Sequence, residues 1–503
     1  MGVGPSGRYP SVGATAATVS LGARLEPMGA DGAVEKRASG RWTRARKGGS
    51  PRPHHHRVRV PQPLIKHRLP SGRGATEQPN TTGDGDTPLT VRFWLALLLT
   101  AVATGLLGDF MMVVLFGFEH LAFGTGPGDY QSHVERATAL HRVASLAIAG
   151  AFAGPAWYLL RRYTPGEKSE VDEAIWTGDG RLSPRRSFIS GVISEIAVGM
   201  GASIGREQAP KLMGGVSGSV SAGWFKLTTP QRRLLVACGA GAGLAAVYNV
   251  PLGGALFTAE VLMGSITIPV VLPAIACSFV ATAVAWLYLP QHATYVDLPD
   301  YHFSLSIFVC AVVMGPLIGL LASVYIRLMG WVSHHRLKRS AVLVGPLGAF
   351  SVLGAIGVVY PALFGNGKDL AHRAFLGEGT ALAFLALFAL KPIVTAMCLG
   401  SGASGGLFTP FLSTGAAFGA MFGFGWGHLW SGSPVGAVAL LGAAAMLGSA
   451  LQAPLAGLVL VIELTHTGIP ILVPLMAATF LATLVSRHID GYSIYSARLP
   501  GPE

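Results

Sequence analysis

The segment Gly205-Arg206-Glu207-Gln208-Ala209-Pro210 sets an arginine–glutamate pair inside a long run of apolar and small residues. In a bilayer a carboxylate at that depth is expensive and marks a functional site unless it merely pairs with a neighbour. Glycine before the pair and proline three residues after Glu207 predict a helix that starts or breaks there. A helix that starts at membrane depth turns its free N–H groups and the positive end of its dipole toward something anionic. The chemistry expected here is anion holding at a helix start, with Glu207 as the candidate functional residue.

The elements that must position this site are membrane helices. Of the 503 residues, 51% are hydrophobic, 12% are charged and 67 are glycine, and the mean hydropathy is +0.50. Soluble domains carry about 25% charged residues, so the chain reads as a polytopic α-helical membrane protein whose glycines let helices approach closely. Cys238, Cys277, Cys310 and Cys398 have neither disulfide-framework nor metal-site spacing and read as packing residues. The net charge of +12 is mostly a tail property. Residues 1–90 hold 14 Lys/Arg and 6 Asp/Glu, a net +8, which leaves +4 for the rest and no reason to expect a nucleic-acid partner.

Residues 1–88 are basic and of low complexity, and are expected to be disordered. They lack the apolar core of a signal peptide, and the run His54-His55-His56 reads as incidental. Strong spans are expected over 93–118 and 143–160, the latter ending in Arg161-Arg162, which suits a cytoplasmic N-terminus in the inner membrane. A short amphipathic helix over 169–176 is expected to be capped by Ser169. From 187 to 262 the apolar segments become short and glycine-broken, too short to cross a core of about 30 Å comfortably. Such helices occur where the backbone lines a cavity or is buried in protein. Ordinary spans follow at 268–289, 306–332 and 341–360. The remaining apolar segments are 381–399, 407–426, 435–450, 454–465 and 471–485, leaving no room for a soluble C-terminal domain.

The chain repeats itself. Tyr248-Asn249-Val250-Pro251-Leu252-Gly253-Gly254 faces Leu451-Gln452-Ala453-Pro454-Leu455-Ala456-Gly457 at an offset of 203, and Glu260 then faces Glu463. Upstream, Gly201-Ala202-Ser203-Ile204-Gly205-Arg206-Glu207 faces Gly402-Ala403-Ser404-Gly405-Gly406-Leu407-Phe408 at an offset of 201. Paired broken-helix segments in two halves point to a binding site at the repeat interface. The division expected is 89–290 for a first membrane half and 300–500 for a second.

These residues resemble the CLC family of chloride channels and chloride–proton antiporters, in the form without CBS domains. Ser401-Gly402-Ala403-Ser404-Gly405-Gly406-Leu407-Phe408-Thr409-Pro410 is similar to the family's GxFxP signature, and Gly205-Arg206-Glu207 to the start of GREGP. Tyr248 to Gly254 resembles the helix-joining FNAPLAG stretch, and Tyr492 to Ala497 the terminal helix that supplies a chloride-coordinating tyrosine. The resemblance implies an all-α fold of two inverted halves with broken and re-entrant helices, assembled as a homodimer in the lipid bilayer. It implies that Glu207 is the gating glutamate. Gly205, Arg206, Gly406, Leu407, Phe408, Tyr495 and Ser169 would surround the chloride. No metal or organic cofactor is implied, and chloride is the substrate rather than a ligand for chemistry.

Three departures bear on mechanism. The family's GSGIP signature is replaced by Glu167-Lys168-Ser169-Glu170-Val171-Asp172-Glu173, whose acidic residues weaken anion attraction unless Lys168 or Arg162 offsets them. GREGP continues as Gln208-Ala209-Pro210, which alters the site beside Glu207. The inner proton-path glutamate of family exchangers falls at Val261, and valine carries no proton. Glu260 is adjacent, but neighbouring helix positions point about 100° apart. Passive, channel-like conduction is therefore expected over chloride/proton exchange. A distant alternative is an intramembrane serine protease, since Gly402-Ala403-Ser404-Gly405 spells G-x-S-G and His466 is a possible base. Otherwise the chain is not expected to be an enzyme.

Overall fold

Glycine seams and proline-started helices explain most of the architecture. The computed structural model describes residues 89–124, 129–167, 170–467 and 469–499. The expectations for the tail, for His54-His55-His56, for Lys168 and for Ser169 lie outside the described residues.

The first half holds α1 (Val91–Phe123), α2 (Tyr130–Arg136), α3 (Ala139–Tyr163), α4 (Val171–Trp176), α5 (Pro184–Gly199), α6 (Gln208–Trp224), α7 (Thr229–Tyr248), α8 (Pro251–Leu256) and α9 (Ile268–Ala285). The second holds α10 (Leu305–His335), α11 (Gly345–Val359), α12 (Lys368–Leu376), α13 (Ala381–Gly400), α14 (Phe408–Leu429), α15 (Val435–Leu451), α16 (Pro454–Thr465) and α17 (Leu472–Ile489). No strand occurs among the described residues. Among the described residues seven helices, including α1, α3, α9, α10, α13 and α17, are long and apolar enough to cross a membrane.

The two halves repeat their packing. α6 lies on α7 as α14 lies on α15, and α7 meets α9 as α15 meets α17. α1 covers α7 and α9 as α10 covers α15 and α17. Glycines make the central contacts close. A Cβ on Gly214 would lie 1.9 Å from the Gly239 carbonyl oxygen, and one on Gly415 would lie 2.5 Å from that of Gly442. Gly239 and Gly442 stand 203 positions apart, the offset of the sequence repeat, so one seam is built twice. α7 from Leu234 and α15 are apolar on all sides because they are sheathed on all sides; every residue from Leu234 to Tyr248 and from Gly436 to Leu451 is buried.

Helix starts repeat too. α7 ends with Asn249 at φ 56° and α15 with Gln452 at φ 55°. Pro251 and Pro454 then open α8 and α16, where a missing N–H is no loss and φ is already helical. The halves differ just beyond, because α8 runs into a π-turn at Phe257–Leu262, whereas α16 continues as α-helix to Thr465.

The structure corrects several sequence expectations. α4 begins at Val171 with Glu170 at its N-cap and no capping bond from the Glu170 side chain. α2 and α12 were not anticipated, since neither is an apolar run; α12 is a short amphipathic helix opening on Lys368 and Asp369. The expected terminal helix is a single 3-10 turn, Ser496–Arg498, with Tyr495 at its N-cap. The four cysteines are buried and unpaired with one another, as packing residues.

Candidate functional site

Two helix starts meet at the centre. Gly205 and Gly406 form an antiparallel bridge, each N–H donating to the other's carbonyl at 2.8 and 2.9 Å. Glu207 is the N-cap of α6 and Leu407 the N-cap of α14. The bridge is the point where the repeated segments touch, and it sets the α6 start beside the α14 start.

The Glu207 side chain crosses from one half to the other. Its Oε1 accepts the Phe408 N–H at 2.7 Å, and its Oε2 accepts the Thr409 hydroxyl at 3.3 Å. It is only 3% exposed. The carboxylate lies over the bridge glycines, since a Cβ on Gly406 would come within 1.9 Å of Oε1 and one on Gly205 within 2.2 Å. The carboxyl group thus sits at the N-terminus of α14, contacted by N–H and hydroxyl dipoles.

Arg206, the sequence neighbour, is turned elsewhere. Its guanidinium lies 5.0 Å from the centroid of the Tyr248 ring, and its Nε has no hydrogen-bond partner. No ion pair joins Arg206 to Glu207 among the described residues; the contacts of Glu207 are to Phe408 and Thr409. Tyr248 joins the site through its hydroxyl, 2.8 Å from Thr409 Oγ1, and its ring lies 5.8 Å from that of Phe408.

The inserted Gln208 has a defined job. Its amide donates to the Ser404 hydroxyl at 3.2 Å and reaches Glu170 at 3.5 Å, tying α6 to the loop before α14 and to the start of α4. Ser404 also receives the Ser194 hydroxyl on its carbonyl at 2.9 Å. His466 lies at the left-handed C-cap of α16, and no hydrogen bond joins it to Ser404 among the described residues. The serine–histidine pair needed for a protease is not assembled.

Tyr495 is 7% exposed and meets Phe257 edge-on, with ring centroids 5.9 Å apart. It lines a cavity of 110 Å³ together with Glu170, Asp172, Glu173, Arg336 and Arg498. Lys211, not singled out from the sequence, places its ammonium 4.1 Å from the centroid of the Tyr495 ring. The same ammonium is 3.3 Å from both carboxylate oxygens of Asp172. Lys211 is four residues beyond Glu207 and donates its backbone N–H to the Glu207 carbonyl at 3.1 Å, so the two share a helix face. That spacing was the available signal. Arg162 does not offset the acidic run; it donates to the Tyr158 hydroxyl on the exposed side of α3.

Val261 is 1% exposed, on the π-turn after α8. Glu260 is engaged otherwise. Its carboxylate accepts the Ala456 N–H at 2.7 Å and the Leu455 N–H at 3.4 Å, capping α16. Glu463 caps α8 in return, accepting from Gly253 at 2.6 Å and Leu252 at 3.1 Å. Glu195 on α5, also missed in the sequence, is fully buried with neither carboxylate oxygen hydrogen-bonded.

The voltage gated chloride channel family model matches residues 149–487. The chain belongs to this family, the CLC family. A putative ClcB-like chloride channel protein of Ralstonia nicotianae is 32% identical over 346 residues, covering 65% of this chain and 78% of that one. The voltage-gated ClC-type chloride channel ClcB of Citrobacter koseri is 30% identical over 418 residues, covering 79% and 97%. Among solved structures, a slow cyanobacterial Cl-/H+ antiporter aligns with a TM-score of 0.70 at 24% identity, over 81% of this chain and 97% of that one. A CLC-type fluoride/proton antiporter aligns with a TM-score of 0.65 at 21% identity, again over 81% and 97%. At those identities the likeness is one of fold. Membership in the CLC family makes the chain a multi-pass membrane protein of an anion-transporting family.

Proposed function

We propose that the protein conducts chloride passively across the inner membrane, with Glu207 as the gate. The observation that carries this reading is the bond from the Phe408 N–H to Glu207 Oε1 at 2.7 Å. The carboxylate occupies a helix N-terminus that is equally suited to a small anion, so anion entry requires its displacement or protonation. A dehydrated anion needs compensation short of a full positive charge, or it would not leave. Backbone N–H groups at the α14 start, together with the Tyr495 hydroxyl, are compensation of that kind. Gly205, Arg206, Gly406, Leu407 and Tyr495 form the surround of this path, and Ser169, outside the described residues, is assigned to it by resemblance alone.

Passive conduction is supported by Val261 at the inner position and by the commitment of Glu260 to α16. Coupled exchange needs a second proton carrier there. The cytoplasmic face is read from Arg161, Arg186 and Arg336, which lie within electrostatic reach of one another and follow the positive-inside rule. α1 and α3 then place the N-terminus on the same side. A homodimer rests on the resemblance and is checked by crosslinking in membranes.

The test is reconstitution in liposomes with chloride efflux and proton uptake recorded together. Chloride efflux without coupled proton movement is expected. A chloride gradient that drives protons uphill would replace channel-like conduction with exchange, and absence of any anion flux would remove the transport reading.

A further inference from the structure

We propose that Lys211 is an additional anion-attracting residue at the inner end of the path, and that Asp172 holds its charge in check. The inference rests on the transport reading above and names a part of the site that the signature motifs do not include.

The observations are geometric. The Lys211 ammonium sits over the Tyr495 ring at 4.1 Å from its centroid and bridges both oxygens of Asp172 at 3.3 Å. Its side chain is 9% exposed and that of Asp172 is 10% exposed. Lys211 lies one helical turn beyond Glu207 on the same face of α6, while Asp172 reaches the pair from α4 and lines the cavity that Tyr495 also lines. Gate, ammonium, aspartate and tyrosine are thus brought together by α6, α4 and the last described turn.

Charge balance gives the pair its meaning. The cavity wall carries the carboxylates of Glu170, Asp172 and Glu173 against the guanidiniums of Arg336 and Arg498. Three negative groups against two positive ones would repel an anion approaching Tyr495. The Lys211 ammonium behind the wall brings the count to even and puts the positive charge nearest the ring. An unopposed ammonium at that depth would trap an anion, since conduction needs binding that is favourable yet weak. Asp172 prevents this by neutralising Lys211 at contact distance. The ligand class is a small monovalent anion, and the pair sets how long it stays.

Opposite signs separate this role from a merely structural one. Chloride affinity is measured by calorimetry on the purified full chain, and chloride efflux is measured from liposomes. Asp172→Asn frees the ammonium and is expected to tighten chloride binding about tenfold while slowing efflux. Lys211→Met strands the carboxylate and is expected to weaken binding about tenfold. The double variant removes the pair without stranding a charge, so it folds even where a single variant does not. It is expected to bind chloride about threefold more weakly than wild type, because the nearer, attractive charge is lost. Equal or tighter binding by the double variant, or a loss of affinity in both single variants, overturns the assignment. A wild-type protein that neither binds nor moves chloride overturns the transport reading, and this inference with it. An active wild type whose variants fail the sign test overturns the inference alone.

Discussion

Glu260 and Glu463 stand 203 positions apart, and each caps the helix that starts in the other's half. Glu260 accepts from the first turn of α16, through Leu455 and Ala456. Glu463 accepts from the first turn of α8, through Leu252 and Gly253. Helices that start without a capping side chain of their own leave N–H groups unsatisfied, and here the repeat supplies the missing acceptors by exchange. The same arrangement removes Glu260 as a ready substitute for the proton-carrying position at Val261.

The exchange predicts matched costs. Glu260→Ala and Glu463→Ala should each destabilise the protein by about 0.5–2 kcal/mol, the range for losing a good N-cap. Thermal melts in detergent should show similar drops for both. Glu260→Gln should leave the pH dependence of chloride flux unchanged, because the residue is structural; a shifted pH profile would return Glu260 to the proton path.

Glu207 predicts a gain of function. A hydrogen bond to a charged group is worth about 1.5–3 kcal/mol, and Glu207→Gln replaces the anionic competitor at the Phe408 N–H with a neutral amide. Chloride flux in liposomes should rise on the order of tenfold and lose most of its pH dependence. Since protonation of Glu207 has the same effect as the substitution, wild-type flux should increase as pH falls. Unchanged flux with an unchanged pH profile would take Glu207 out of the gate.

Tyr495 predicts a modest loss. Tyr495→Phe keeps the ring that Lys211 and Phe257 pack against and removes the hydroxyl alone. One hydrogen bond contributes about 0.5–1.5 kcal/mol, so chloride affinity measured by calorimetry should fall between about twofold and about tenfold. Intact binding would exclude the hydroxyl from the site.

Much of this protein was legible before any coordinates. Composition and long apolar runs specify membrane helices because the bilayer admits little else. The repeat was readable because proline, glycine and glutamate are constrained by backbone geometry, so Pro251/Pro454, Gly239/Gly442 and Glu260/Glu463 survive as matched pairs. Glu207 at a helix start was readable for the same reason. α2 and α12 were not, since short helices held by tertiary contacts carry no apolar span to announce them.

What only the tertiary structure decided is which charges face one another. By sequence, Arg206 is next to Glu207, Arg162 is one of two cations with an assigned offsetting role, and Glu260 adjoins Val261. In space Arg206 lies on Tyr248, Arg162 points outward to Tyr158, and Glu260 reaches across to α16. The counter-charge for Asp172 comes instead from Lys211, 39 positions away. Adjacent positions on a helix diverge by about 100° while residues a turn apart align. Electrostatic partners at the site are therefore set by helix faces and by the docking of the two halves, neither of which can be read from adjacency along the chain.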